Sequence, residues 1–304
     1  MAKSRQNLRG RFLVVLVPYL WLGFFFLVPF LIVLKISLSH DVIAQPPYAP
    51  LLDLSQGWPG LKSFFSQLDF SNYALLGSDT IYLDSYLQSL RIAAISTLIL
   101  LLVGYPIAYA IVRAPERFRP LLVMAVILPF WTSFLIRIYA WMGILSRGGF
   151  LSQLLLYLGL TDRPTELLYT NTAVYIGIVY SYLPFMVLPL YAALEKMDNA
   201  LLEAASDLGS PPLRAFWSVT FPLSLPGVIA GSLLCFIPAV GEFVIPDLMG
   251  GSETLMIGKT LWTEFSVNRS WSVSSAAAIV LLMVLIVPIL IYQRIETRSI
   301  EAAR

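Results

Sequence analysis

The sequence predicts an all-α membrane protein with six transmembrane helices. Three observations carry that expectation. The 304 residues are 58% hydrophobic and only 12% charged, with a mean hydropathy of +0.78, which is more apolar surface than a soluble domain can bury. The apolar residues come in continuous runs and not in period-two alternation. Because the bilayer interior has no water to satisfy backbone groups, such runs mean helices and not a barrel. Six of the runs approach the roughly 20 residues that a bilayer crossing needs.

In chain order the runs are about 12–34, 87–112, 121–145, 171–193, 224–248 and 273–293. The first follows a basic leader (Lys3, Arg5, Arg9, Arg11) in the manner of a secretory signal, but its 23-residue apolar stretch is too long for a signal core. It is expected to remain as a spanning anchor. Six spans put both termini on one side, and Lys and Arg tell which side that is. Twelve of them (Lys3, Arg5, Arg9, Arg11, Arg113, Arg117, Arg119, Lys196, Arg214, Arg294, Arg298, Arg304) fall on the side of the termini. Six (Lys35, Lys62, Arg147, Arg163, Lys259, Arg269) fall on the other, in longer loops. The positive-inside rule then makes both termini cytoplasmic.

That orientation turns 113–120 (RAPERFRP) into a tight cytoplasmic turn and 35–86 into a long external region. The region is rich in Pro, Ser, Asp and aromatics (PPYAP, GWPG, FSNYALLGSD), so short helices and turns on the membrane surface are expected there, not a separate folded domain. It serves either as a surface that a soluble partner touches or as a spacer. Residues 1–304 are thus read as a single transmembrane domain.

Several function classes drop out. A net charge of +2, with the basic residues at the ends of segments, does not suit nucleic acid. Cys235 is alone in an apolar run, which excludes an intrachain disulfide and makes it core filler, and the single His40 makes a metal site unexpected. Gly258-Lys259-Thr260 ends like a phosphate-binding loop, yet the required glycine five residues earlier is Glu253. With no nucleophile elbow or His-containing triad either, the chain is not expected to be an enzyme.

The loop 194–222 has structure of its own. Asp198 or Asn199 can cap a helix beginning at Ala200, Gly209 suits the left-handed residue that ends it, and Ser210 with Pro211 starts a second helix towards Pro222. Leu201, Leu202, Ala205 and Leu208 share one face of the first helix, opposite Glu203, Ser206 and Asp207. A helix of about 10 residues does not stand alone in water. It must pack on a partner's groove or cap its own bundle at the interface.

Glu203-Ala204-Ala205, then Gly209, then Phe221-Pro222-Leu223 resemble the EAA loop of the inner-membrane subunits of bacterial ABC importers. That family writes Ile-x-Leu-Pro where this chain has Val219-Thr-Phe-Pro222. The segments 128–145 (LPFWTSFLIRIYAWMGIL), 173–191, 201–209 and 236–251 (FIPAVGEFVIPDLMGG) resemble the polyamine-importer permeases, the putrescine type above the spermidine type. The resemblance implies a type I ABC importer permease architecture in the bacterial inner membrane. It makes 194–222 a coupling loop in which Glu203, Ala204, Ala205, Asp207 and Gly209 dock on an ATPase. The implied partners are two ATPase copies that bind the ATP and Mg, a second homologous permease and a periplasmic binding protein. An opine, an amino acid or thiamine is an alternative cargo, and an independent channel or carrier is the alternative class.

Ionisable groups inside apolar spans are costly and therefore mark function. Arg91 lies near the outer end of its span and can snorkel. Arg137 is deeper and is expected to pair with Glu242 or Asp247. Those two carboxylates lie in PAVGEFVIPD, where Pro238 and Pro246 are expected to interrupt the helix beside a cavity, so either could instead meet a polyamine ammonium. Trp131, Tyr139, Tyr180 and Tyr182 could line a cation path through their ring faces or simply mark the membrane interfaces.

Overall fold

The computed structural model describes residues 14–51, 55, 57–198 and 200–302, with side chains as far as Leu290. The basic leader, the first two residues of the first run, Asn199, and the side chains of Arg294, Arg298 and Arg304 lie outside the described residues. Five described helices are long and apolar enough to cross a membrane, and a bent pair makes a sixth if it counts as one span.

Helix α1 is Val14–Ser37. The 35–86 region holds a two-residue hairpin, β1 (His40–Asp41) antiparallel to β2 (Tyr48–Ala49), then α2 (Gly57–Ser66) and α3 (Ser71–Ser78). Helix α4, Thr80–Arg113, starts seven residues before the expected span, with the Asp79 carboxylate accepting the Ile81 N–H at 2.9 Å. At 1.5 Å per residue it is about 50 Å long and outruns the hydrocarbon.

The third run is not one helix. It breaks at Thr132–Ser133 into α5 (Glu116–Trp131) and α6 (Phe134–Leu145), with Glu116–Trp131 and Phe134–Tyr157 bent by 89° to each other. Pro129 tightens the end of α5 into a 3-10 turn, Thr132 and Ser133 are extended, and the Thr132 hydroxyl donates to the Pro129 carbonyl at 2.7 Å. A short α7, Phe150–Tyr157, continues the chain, and α8 is Asn171–Glu195. The Thr170 hydroxyl caps α8 by accepting the Ala173 N–H.

After a short α9 (Ala200–Asp207), helix α10 runs as one span from Pro212 to Val240. The sequence placed this span at 224–248, so both ends move. The wide π turn Phe216–Thr220 absorbs the missing N–H of Pro222, which lets the second helix of the 194–222 loop run on into the membrane. At the other end Pro238 stays inside α10, and the break falls at Gly241–Phe243 before α11 (Val244–Met249). Helices α12 (Ile257–Ser266) and α13 (Trp271–Ala302) complete the chain.

The described residues fall into two compact units: the chain up to Leu83 with Leu261–Met283, and Asp84–Thr260 with Val284 onwards. In the first, Leu76, Tyr82, Val273, Ala276 and Ala277 form the core. Asn72 donates to the Ser37 and Ser39 carbonyls at 2.9 and 2.8 Å, and Asp41 accepts from Ser270 and from the Ser272 N–H at the start of α13.

The second unit is organised by α8 against α10. Leu100, Tyr105, Ala108, Met186, Leu190, Leu194, Val228 and Cys235 are buried between α4, α8 and α10. Gly227 lets the two backbones meet: a Cβ there would lie 2.7 Å from the Pro189 carbonyl. The N-terminal part of α4 reaches the α12 start, where Ser89 accepts the Ile257 N–H at 2.7 Å and Gln88 bonds both the Glu253 carbonyl and the Leu255 N–H.

Candidate functional site

Two places in the second unit gather the residues singled out above. The first is the loop after α8. The Asp198 carboxylate accepts the Ala200 N–H at 2.9 Å and so caps α9. At the far end Gly209 takes φ +74°, with Gly209 N–H donating to the Ser206 carbonyl and Ser210 N–H to the Ala205 carbonyl. This pair of bonds is the Schellman arrangement, which a residue with a Cβ would resist. Ser210 makes no side-chain cap for the next helix, contrary to the sequence reading, because Pro211 holds that position.

Helix α9 has eight residues and buries none of them. The apolar face read from the sequence is split: Leu202 and Ala205 are half-buried, while Leu201 is 47% and Leu208 88% exposed. Glu203, Ala204, Asp207 and Gly209 are exposed. An apolar groove of about 550 Å³ lies alongside, lined by Pro189, Ala193, Met197, Leu201, Leu223 and Pro226 among others. A stubby helix with leucines in the open beside an apolar groove is an incomplete surface.

The second place surrounds the two helix breaks. The expected pairing of Arg137 with Glu242 or Asp247 is not found among the described residues. Arg137 is 8% exposed, its guanidinium sits 4.7 Å from the Phe130 ring centre and 5.8 Å from that of Phe134, and Nε and Nη1 have no hydrogen-bond partner. The bend at Thr132–Ser133 puts Phe130 over α6, so ring faces meet a cation for which the sequence reading sought a carboxylate.

Glu242 has other work. Buried at 9% exposure, it accepts the Tyr182 hydroxyl at 2.6 Å and the N–H groups of Val244 and Ile245 at 3.1 and 3.4 Å. It caps the first turn of α11 from one place before the N-cap residue Phe243, and it is the acceptor for the half-buried Tyr182 phenol, which satisfies the carboxylate within the fold. Glu242→Ala should therefore destabilise the protein by about 1–3 kcal/mol, through the orphaned hydroxyl and the lost cap. Thermal unfolding in detergent would read this, and Glu242→Gln, which keeps an oxygen, should recover most of it.

Asp247 lies on α11 and pairs with Lys259 of α12 at 3.6 Å, the two side chains 49% and 26% exposed. The sequence offered no signal for this pair; Lys259 entered only in the count of basic residues and as part of a failed phosphate loop. The structure gives Gly258-Lys259-Thr260 a packing role. A Cβ on Gly258 would lie 2.4 Å from the Gly241 carbonyl and 2.6 Å from that of Glu242, and the Thr260 hydroxyl bonds Ser85 at 3.1 Å.

Of the aromatic candidates, Trp131 (75% exposed) and Tyr139 (57%) are open. Tyr180 is half-buried in an edge contact with Trp141, and Tyr182 is held by Glu242. Arg91 is exposed on a polar cleft of about 610 Å³ that also includes Asp84, Gln88, Tyr175 and Glu253.

Residues 116–301 match the family model for the binding-protein-dependent transport system inner membrane component. The spermidine/putrescine transport system permease protein PotB of Salmonella typhimurium is 46% identical over 223 residues, covering 73% of this chain and 77% of that protein. PotB of Haemophilus influenzae is 39% identical over 283 residues, covering 93% and 92%. Among solved structures, a bacterial alginate ABC transporter in complex with its alginate-bound periplasmic protein superposes with a TM-score of 0.72 at 16% identity, covering 98% of both chains. That likeness shows the type I importer permease fold. The chain therefore belongs to the family of binding-protein-dependent transport system inner membrane components.

Proposed function

We propose that this chain is the permease subunit of an ATP-driven importer that moves a polyamine, putrescine or spermidine, across the bacterial inner membrane. The observation that carries the reading is α9, a capped helix with no buried residue in a chain 39–46% identical to spermidine/putrescine permeases. On this reading, Glu203, Ala204, Ala205, Asp207 and Gly209 seat in a separate ATPase, present in two copies, which binds ATP and Mg; this chain supplies neither a cofactor site nor hydrolysis. A second homologous permease and a periplasmic binding protein complete the importer. Both termini then face the cytoplasm, since α9 must lie on the side where ATP is.

Asp247 is the acid of the path: it is half exposed, whereas Glu242 is saturated by Tyr182 and the α11 backbone. Trp131 and Tyr139 offer open ring faces to an ammonium. Tyr180, edge-on to Trp141, and Tyr182, bonded to Glu242, are the further rings of the path, and Arg137 takes its place on Phe130.

The test is uptake of labelled putrescine by the purified complex in proteoliposomes, with unlabelled spermidine, an opine, an amino acid and thiamine as competitors. Uptake that requires ATP and is blocked only by polyamines is expected. Competition by another solute class would change the cargo, and uptake by this chain without an ATPase would overturn the subunit reading.

A further inference from the structure

The Asp247–Lys259 pair is built from the chemistry of the proposed cargo. A lysine side chain is four methylenes ending in a primary ammonium, and putrescine is the same four methylenes with an ammonium at each end. At Asp247, therefore, the fold already holds the group that a diamine would bring. We infer that Lys259 is a resident stand-in for the substrate's ammonium at Asp247, displaced when a polyamine binds there. The inference rests on the polyamine reading and adds the exchange partner.

Three features suit exchange better than permanence. The Nζ–Oδ1 distance of 3.6 Å is beyond the 2.7–2.9 Å of a tight charged hydrogen bond, so the contact is mostly Coulombic and an incoming ammonium can better it. Asp247 keeps half its side chain open to a solute while Lys259 occupies one oxygen. Glu242, the other carboxylate of the stretch, has no such vacancy, since Tyr182 and two backbone N–H groups already bind it.

The pair also joins two elements. Asp247 belongs to α11 and Lys259 to α12, whose Gly258 packs directly on the Gly241 and Glu242 carbonyls that lead into α11. A diamine at Asp247 therefore releases a tie between α11 and α12, and Lys259 closes the site again once the cargo leaves. An empty carboxylate in this stretch would attract any small cation; the tethered ammonium keeps Asp247 neutralised between turnovers and sets a threshold that a weakly held cation does not pass.

The experiment is equilibrium dialysis of labelled 1,4-diaminobutane against the purified complex of permeases and ATPase, with the binding protein left out because it captures the ligand itself. Lys259→Met should bind about two- to fivefold more tightly than the unsubstituted complex, the range set by a half-exposed ion pair. Lys259→Arg, which keeps the cation, should gain nothing. Asp247→Asn should weaken binding, and adding Lys259→Met to it should restore nothing. Equal or weaker binding by Lys259→Met, or the same gain in the Asp247→Asn background, overturns the exchange. If Lys259→Met and Lys259→Gln both fail to assemble, the pair is a structural tie, which overturns it too. ATP-dependent putrescine uptake by the unsubstituted complex is measured alongside: its absence refutes the polyamine reading, whereas uptake without Lys259–Asp247 coupling refutes only the exchange.

Discussion

Glu203→Arg is expected to cut ATP-dependent uptake by at least about tenfold while the protein still reaches the membrane in normal amount. Glu203 is exposed on α9 and has no hydrogen-bond or ion-pair partner among the described residues, so reversing its charge costs the isolated fold little, within about 0.5 kcal/mol. All of the effect must come from a surface outside the chain. A carboxylate seated at a protein interface and replaced by the opposite charge loses its partner and leaves a repelling one, which costs about 2–5 kcal/mol, or more than an order of magnitude in affinity. Immunoblots of membranes, uptake and ATPase rates read the three components separately. Normal uptake by Glu203→Arg would mean that α9 transmits nothing.

Substituting Gly227 should have an effect of similar size by the opposite route. Even alanine puts a Cβ 2.6 Å from the Ala193 Cβ and 2.7 Å from the Pro189 carbonyl. Both belong to α8, whose backbone must retreat from α10 along the central packing face of the second unit. Overpacking of this kind costs about 1–3 kcal/mol, and Gly227→Val, with two further methyls, should cost more. Expected results are a lower unfolding temperature in detergent for Gly227→Ala and little folded protein for Gly227→Val. Gly143→Ala is the control, because a Cβ there meets nothing within 4 Å and a glycine in a helix interior gains about 1 kcal/mol on becoming alanine. A Gly227→Ala protein as stable as that control would remove the close α8–α10 approach from the account.

Those two residues mark how differently the chain discloses its parts. Glu203 could be found in the sequence, because a short amphipathic helix bounded by Asp198 and Gly209 is specified by local chemistry: a capping carboxylate, helical spacing and a glycine free to take positive φ. Gly227 could not be singled out among the 18 glycines. What distinguishes it is the nearness of Pro189 and Ala193, more than 30 residues away in the chain, and no local pattern encodes that.

The same division explains the errors in the span boundaries. Hydropathy located every apolar run but not the 89° bend at Thr132–Ser133 or the start of α10 at Pro212, since an apolar window averages over a broken helix as readily as over a straight one. Proline positions misled at 238 because a proline disturbs only the turn before it, and α10 carries Pro226 and Pro238 without ending. The partners of ionisable groups were equally hidden. Arg137 found two phenylalanines, Glu242 found Tyr182 and its own following backbone, and Asp247 found Lys259.

By itself the sequence determined the solvent this protein lives in, the approximate places where it crosses, and the short capped helix through which we propose it is driven, because those follow from apolar runs, charge bias and residues within a few positions of one another. The tertiary structure alone decided which spans touch at their glycines, where the helices break and which counter-group each buried charge receives. Such choices are made across tens to more than a hundred residues of chain, by distances that packing fixes and that composition and periodicity do not carry.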